Sequence, residues 1–273
     1  EVFAGRASGS SQDEGTMQSK FLYPVNATSD GSAFSILSGA HSVDTFTIGS
    51  STYAIVTAQS DDGVQIIDLS GLGRPSGAIP FSGILAKHVA SDGADGFTKL
   101  NGARNVAAYT IHSATASELS LTSTNYAIVA SFTDDGLQII DIGVPTAIVA
   151  KDAETDGVNG FGELDGVYGI ATFTISSNGT YRGAIVTANT ADSVTSVDIT
   201  NPNAIFEKDV ETDGNNSFTE LKGAHSVDTF TIDNNTYAIV TGMSDDGVQI
   251  IDLTGITESG GGFPFSGIMA RDA

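Results

Sequence analysis

The residues best suited to chemistry lie in two acidic loops that share one spacing. One reads Asp152-x-Glu154-x-Asp156-Gly157-x5-Glu163, and the other reads Asp209-x-Glu211-x-Asp213-Gly214-x5-Glu220. Oxygen ligands at positions 1, 3, 5 and 12 around a glycine at position 6 form a calcium loop, because Ca²⁺ prefers several hard oxygens. The sequence therefore predicts calcium as a cofactor, with a plain acidic surface turn as the alternative. The predicted metal ligands are Asp152, Glu154, Asp156, Glu163, Asp209, Glu211, Asp213 and Glu220.

Two further copies of this loop lack most of the ligands. Asp92 and Asp30 mark them, but His88, Ala90 and Lys99 stand at ligand positions of the first. We expect no tight calcium binding at either copy.

The loops alternate with copies of one apolar strand pair. The pair occupies residues 53–69, and it recurs at 126–142, at 237–253 and, in a degenerate form, at 183–199. Its Asp61-Asp62-Gly63 turn predicts a hairpin in which glycine takes the positive φ. The aspartates that end its second strand are expected to accept hydrogen bonds from turn amides. These are Asp68, Asp141, Asp198 and Asp252.

Repetition at a fixed period predicts the architecture. Four strands per unit, four units and no helical periodicity indicate an all-β fold, a β-propeller with four-stranded blades. The units cover approximately residues 25–86, 87–150, 151–207 and 208–273, and residues 1–20 are predicted to be a flexible lead-in. The four loop aspartates lie 62, 64 and 57 residues apart, so each repeat of about 60 residues exceeds the usual blade of about 40 to 50. We therefore expect an insertion in each unit.

The first and fourth units match at a constant offset of 184 residues, which indicates a recent duplication. Residues 21–25 supply one more strand than four full units require, and the chain ends where another acidic loop would begin. Either the natural chain continues, or this strand closes the ring, in its own chain or in a neighbouring one. Self-association through exposed edge strands is therefore predicted.

A second candidate site lies on the first strand of each unit. His41 and His225 occupy equivalent positions there, and Arg104 and Tyr168 occupy the same position in the other two units. In a propeller this strand lines the axis, so the four side chains are expected to form an axial polar ring. The ring is either a ligand or catalytic site, or a structural feature of the repeat.

Composition excludes several classes of function. The net charge is −22, from 33 acidic and 11 basic residues, which argues against nucleic acid or an anionic membrane as partner. There is no cysteine, so disulfides and thiol chemistry are excluded. No apolar run approaches the roughly 18 residues of a membrane span, and no signal peptide is visible.

The repeat resembles the LVIVD-repeat β-propeller family over residues 25–273. The resemblance rests on Ala40-His41-Ser42-Val43, on Tyr53-Ala-Ile-Val and on Gly63-Val-Gln-Ile-Ile-Asp-Leu69. It implies a propeller of exported, surface-associated microbial proteins, usually without a defined catalytic activity. The acidic loops, the long blades and the low number of units depart from the family pattern.

Four sequences match the N-glycosylation acceptor pattern, at Asn26, Asn178, Asn215 and Asn234. Together these features predict a non-enzymatic, calcium-stabilised structural or adhesive protein, extracellular or at the cell surface, with surface glycans or surface proteins as partners. The alternatives are a propeller hydrolase that uses the axial ring and a carbohydrate-binding module.

Overall fold

A computed structural model describes residues 26–31, 33–73, 83–114, 121–176, 180–253 and 256. This part of the chain consists of strands, loops and one 3₁₀ turn, Ser70–Gly73, and contains no α-helix. The all-β prediction is therefore confirmed. Among the described residues, no helix is long and apolar enough to cross a membrane.

The strands form four antiparallel sheets in which each strand pairs with the next in sequence. Sheet 1 contains β1 (Ala40–Ile48), β2 (Ser51–Ala58), β3 (Gly63–Asp68) and β4 (Leu85–Ser91). Sheet 2 contains β5 (Ala103–Ala114), β6 (Leu121–Ser131), β7 (Gly136–Asp141) and β8 (Val149–Thr155). Sheet 3 contains β9 (Val167–Ser176), β10 (Thr180–Ala188), β11 (Ser193–Asp198) and β12 (Phe206–Thr212). Sheet 4 contains β13 (Ala224–Ile232), β14 (Asn235–Gly242) and β15 (Gly247–Asp252).

Four strands per unit are thus present in sheets 1 to 3. The segment expected to add a fourth strand to sheet 4, residues 267–270, lies outside the described residues. The predicted lead-in at 1–20 and the predicted extra strand at 21–25 lie outside them as well.

Each sheet has two faces because successive side chains of a strand point to opposite sides, and in the third strands of sheets 1 to 3 apolar residues on both sides are buried. In sheet 1, Ile55 pairs with Ile66 and Ala54 pairs with Ile67, so the two pairs point to opposite sides. We call the side of Ile55, Val64 and Ile66 the forward face, and the side of Ala54 and Ile67 the backward face. The same two faces are defined in every sheet by the equivalent residues.

The forward face of each sheet packs on the backward face of the next. Ile55, Val64 and Ile66 share a core cluster with Val129 and Ile140 of sheet 2. Equivalent clusters join sheet 2 to sheet 3 and sheet 3 to sheet 4. The first strands follow the same order, since β1 packs on β5, β5 on β9 and β9 on β13.

This succession of face-packed meanders is the arrangement of propeller blades. Between β13 and β1, the described residues make no contact as extensive as those between successive first strands. Among the described residues, sheet 4 therefore does not pack on sheet 1 in the way that successive sheets pack on one another.

The prediction for the hairpin turn is wrong about which residue has positive φ. Asp62, Asp135 and Asp246 take it, at 50°, 46° and 55°. Aspartate tolerates this left-handed region better than most residues. The following glycine is needed for a different reason, since a Cβ on Gly63 would collide with the carbonyl oxygen of Ala90 on β4.

Candidate functional site

The structure brings together the four polar residues expected along the axis. The guanidinium carbon of Arg104 lies 4.4 Å from the ring centroid of Tyr168 and 4.2 Å from that of Phe132. The centroids of Tyr168 and His225 are 3.8 Å apart, and those of His41 and Tyr168 are 5.8 Å apart. His41 Nδ1 lies 3.0 Å from the carbonyl oxygen of Arg104. Phe132, which completes this axial cluster, was not anticipated from the sequence.

The axial cluster carries positive charge on aromatic surfaces. Burial lowers the pKa of His225, and the charge of Arg104 and then the neighbouring His41 lower it further. His225 is therefore biased towards neutral imidazole, which can accept a proton. Arg104 Nε is buried without a hydrogen-bond partner in the described structure. An anion or a polar group reaching Arg104 would satisfy this donor.

The acidic loops close through their own hydrogen bonds in every unit. Oδ1 of Asp156 accepts from Leu164 N at 2.8 Å, and Oδ1 of Asp92 accepts from Leu100 N at 3.1 Å. Asp213 and Asp30 make the same contact with Leu221 and Leu37. Because the bond also forms in the two units that lack the other ligands, the fold alone accounts for the recurrent loop aspartate.

The first positions of both predicted calcium loops belong to strands. Asp152 and Glu154 lie within β8, and Asp209 and Glu211 lie within β12. Residues two apart on a strand share a face but stand about 6.5 Å apart along the strand axis, instead of wrapping around an ion. Asp152 Oδ2 in fact accepts from Ile205 N at 2.7 Å.

The glutamate at position 3 of each motif is already bound by an asparagine. Both carboxylate oxygens of Glu154 accept from Asn159 Nδ2, and Glu211 is bound in the same way by Asn216. Burial raises the pKa of both glutamates, and the asparagine donors oppose that shift. Sequence reasoning missed these asparagines, although both stand five residues after the glutamate.

The predicted ligands do not fit calcium in this arrangement. Among the described residues, which include both motifs in full, no group of three or more acidic or histidine side chains is placed to hold a metal ion. Calcium binding stays a prediction from sequence, and it would require Glu154 and Glu211 to leave their asparagine partners.

The turns after the second strands of sheets 1 to 3 have a role that sequence analysis did not find, because they connect consecutive units. Two of these turns are Asp-Asp-Gly, and the third is Ala191-Asp192-Ser193. The last aspartate of each turn accepts a hydrogen bond from a glycine N–H of the next unit. Asp62 Oδ1 lies 2.8 Å from Gly102 N, Asp135 Oδ1 lies 2.7 Å from Gly166 N, and Asp192 Oδ1 lies 2.6 Å from Gly223 N. We call this contact the aspartate link. Its signal in the sequence was the recurrence of both residues from unit to unit, at separations of 40, 31 and 31 residues.

Three of the four strand-ending aspartates accept hydrogen bonds from turn amides, as predicted. Asp68, Asp141 and Asp198 accept from amides two residues later, at 2.8, 3.0 and 2.9 Å. Each also forms a salt bridge with a lysine on the fourth strand of its sheet, and the most buried pair joins Lys208 to Asp198 at 3.7 Å. These carboxylates hold strand ends.

Three of the four glycosylation positions are described, and all three are exposed: Asn26, Asn215 and Asn234. Asn178 lies outside the described residues. Glycosylation stays a prediction.

Comparison with known proteins identifies no family for this chain. No family model and no curated protein matches it. The periplasmic gluconolactonase of Pseudomonas aeruginosa is 12% identical with a TM-score of 0.46, over 78% of this chain and 49% of that one. A protein from Lactobacillus plantarum is 15% identical with a TM-score of 0.43, over 78% and 51%. An exo-β-1,3-galactanase of Phanerochaete chrysosporium is 8% identical with a TM-score of 0.45, over 79% and 47%.

The chain spans about half the length of these three structures. At such identities and TM-scores the likeness carries no argument about function, which must come from the geometry of the chain itself. The LVIVD resemblance stays a prediction.

Proposed function

We propose that the chain is a non-enzymatic structural repeat protein that acts outside the cell or at its surface. Its task is to hold successive blades rigidly so that their loops are presented in a fixed array. The observation that carries the proposal is the aspartate link, which recurs at all three junctions between units.

The use of the acidic residues supports this role. In a catalytic site, acids are expected to converge with other reactive groups on one cleft. Here the recurrent aspartates join units, close loops or fix strand ends, as Asp135, Asp156 and Asp141 do in turn. The same duties recur from unit to unit, as expected of a scaffold in which stability is summed over repeats and interfaces.

An extracellular setting agrees with the absence of cysteine and with the LVIVD resemblance, which implies exported proteins. The net charge of −22 would also keep such an array soluble.

The test compares Asp135→Ala, which removes one aspartate link, with Asp95→Ala. Asp95 is exposed and also has a φ of 50°, so its replacement reproduces the backbone strain without removing a link. A hydrogen bond to a charged group contributes about 1.5 to 3 kcal/mol. Asp135→Ala should lower the free energy of unfolding by about that much more than Asp95→Ala, measured by denaturant titration. Equal effects would mean that the link does not hold the units together.

A second candidate is ligand binding or hydrolysis at the axial cluster. It is favoured by the unpartnered Nε of Arg104 beside a histidine biased towards its neutral form. The probe is acetate, titrated while the His225 ring is observed by NMR. Binding at Arg104 would raise the pKa of His225, because an added negative charge favours imidazolium.

Arg104→Gln should abolish that response if the cluster binds anions. The matched control is Arg182→Gln, since Arg182 lies away from the cluster, with its Nε bonded to the carbonyl oxygen of Thr110 at 2.6 Å. A His225 pKa that is unchanged by acetate would remove the anion-binding candidate and leave the scaffold proposal intact.

A further inference from the structure

In the part of the chain that the structure describes, each of the two end sheets leaves one apolar face uncovered. On the forward face of sheet 4, Val248 is 53% exposed, whereas its equivalents Val64, Leu137 and Val194 are at most 1% exposed. On the backward face of sheet 1, Val43 is 60% exposed, whereas its equivalent Val106 is 4% exposed. In both cases the buried equivalents are covered by a neighbouring unit.

Polar groups at the same two ends are also unused. Asp246 stands where Asp62, Asp135 and Asp192 accept the aspartate link, and it has their left-handed φ. It is exposed and has no hydrogen-bond partner among the described residues.

The complementary donor lies at the other end of the chain. Gly39 is equivalent to Gly102, Gly166 and Gly223, whose N–H groups donate the link. Those three glycines are buried, whereas Gly39 is exposed and its N–H has no partner in the described structure.

Threonine hydroxyls near the axis make a second contact between units, and this contact is also missing at sheet 4. Thr57 Oγ1 donates to the carbonyl oxygen of Arg104 in the next unit at 2.9 Å, and Thr187 Oγ1 donates to that of His225 at 3.0 Å. Thr241 is the equivalent residue of sheet 4, and it is exposed. The acceptor that the pattern assigns to it is the carbonyl oxygen of His41.

We propose that the forward face of sheet 4 docks on the backward face of sheet 1 of a second copy of this chain, head to tail. The docking would reproduce the interface that already joins the sheets within the chain. It would cover Val248 and Val43 together, and it would form a fourth aspartate link, from Gly39 N–H to Asp246. This inference rests on the proposed scaffold function and specifies the partner of its ends.

The sequence supports a second copy as the occupant. Residues 237–241 and 244–253 repeat residues 53–57 and 60–69 without a change. The forward face that residues 53–69 form in sheet 1 already packs on the backward face of sheet 2. Conversely, Ala224–Ile232 repeats Ala40–Ile48. The backward side of Ala224–Ile232 already packs on sheet 3. Both surfaces of the proposed contact therefore have near-identical counterparts within the chain that already pack in the proposed way.

Charge opposes the association, because each copy carries −22. The contact itself is apolar, so added salt should screen the repulsion and strengthen assembly. An association held mainly by ion pairs between the copies would instead weaken in salt.

The experiment is sedimentation of the 273-residue chain across a wide range of concentration, with and without added salt. The wild-type chain should form species larger than a monomer, and added salt should increase their share. Val248→Glu and Val43→Glu should each abolish assembly. Val144→Glu is the matched control, because Val144 is 57% exposed and belongs to neither face, and it should leave assembly unchanged.

Mixing the two defective variants tests the head-to-tail geometry. Val248→Glu keeps an intact backward face, and Val43→Glu keeps an intact forward face. Their mixture should give a complex of two chains, although each variant alone is monomeric. Edge-strand pairing, or contact between two like faces, predicts no such rescue and would overturn the proposal.

A wild-type chain that stays monomeric at every concentration and salt would also overturn it. That result would leave the scaffold function untouched, since the aspartate links inside the chain are tested by unfolding. Circular dichroism of each variant verifies that loss of assembly does not come from loss of fold.

Discussion

The first and fourth sheets contain the same central strands in two different surroundings. The Ala-Ile-Val-Thr run and the Gly-Val-Gln-Ile-Ile-Asp run of β2 and β3 recur unchanged in β14 and β15. Yet Val64 is fully buried, whereas Val248 is 53% exposed. The difference cannot come from the strands themselves, so the adjacent unit determines which residues of this repeat form core.

The backward faces show the reverse relation. Val43 of sheet 1 is exposed, while Val227 at the same position of sheet 4 packs into the core shared with sheet 3. Among the described residues, sheet 1 therefore has a neighbour on its forward face only, and sheet 4 has one on its backward face only. This is expected of a repeat whose units contact only their neighbours.

The largest difference in stability should come from truncating Ile66 and its less buried copy, Ile250, to alanine. Ile66 is fully buried between sheets 1 and 2, whereas Ile250 of sheet 4 is only partly buried. Ile66→Ala should cost about 2 to 5 kcal/mol of unfolding free energy, because a large-to-small change leaves a cavity. Ile250→Ala should cost less than half as much when both are measured by denaturant titration of dilute protein. Equal costs would break the comparison, because they would mean that another element covers sheet 4.

A smaller effect should come from the loops, where the end units also differ. Unit 4 places the carboxylate of Glu211 against Asn216, and unit 1 has Thr28 at the equivalent position. Burial raises the pKa of Glu211, so the native state favours the protonated form. The resulting contribution to stability is complete below the ordinary glutamate pKa of about 4.3 and is lost as the pH rises through the raised value.

Glu211→Gln removes this titration. The stability of the variant relative to wild type should therefore increase as the pH rises from about 4 towards neutrality. Glu220→Gln, in the same loop, serves as the control, because no described residue donates a hydrogen bond to its carboxylate. Thermal melting across this pH range measures the effect, and a constant difference between Glu211→Gln and wild type would contradict it.

The smallest expected effect concerns calcium. Since the loops close through Asp156, Asp213 and the glutamate–asparagine pairs, the structure requires no ion there. A chelator should leave the melting temperature unchanged, and added calcium should not raise it. A marked drop on chelation would instead support the calcium loops expected from the sequence, with Glu154 and Glu211 as ligands.

Local pattern was sufficient to predict much of the fold. Alternation and recurrence located β2 and β3, and the turn contacts of Asp68 follow from its place at a strand end. The calcium motif misled because spacing alone does not distinguish a wrapped loop from the end of a strand, as at Asp152. The aspartate link was missed because Asp62 and Gly102 lie 40 residues apart and meet only when two sheets pack.

Four of the five residues of the axial cluster were predictable from the repeat. Equivalent positions on the first strands converge by repetition, which identified His41, Arg104, Tyr168 and His225. Phe132 belongs to the turn after β6, and its contact with Arg104 depends on how that turn folds back towards the axis. Nothing in the spacing of the sequence indicates that contact.

The most direct test is the chemical accessibility of a thiol at the two copies of one position. The chain has no cysteine, so Val64→Cys and Val248→Cys each give a single reactive group. In dilute protein, where any assembly is dissociated, the Val248→Cys thiol should react with a maleimide nearly as fast as in the unfolded chain. The Val64→Cys thiol should react at least about a hundredfold more slowly, because exposure there requires separation of two sheets. Equal protection at the two positions would contradict the conclusion that the neighbouring unit determines burial in this repeat.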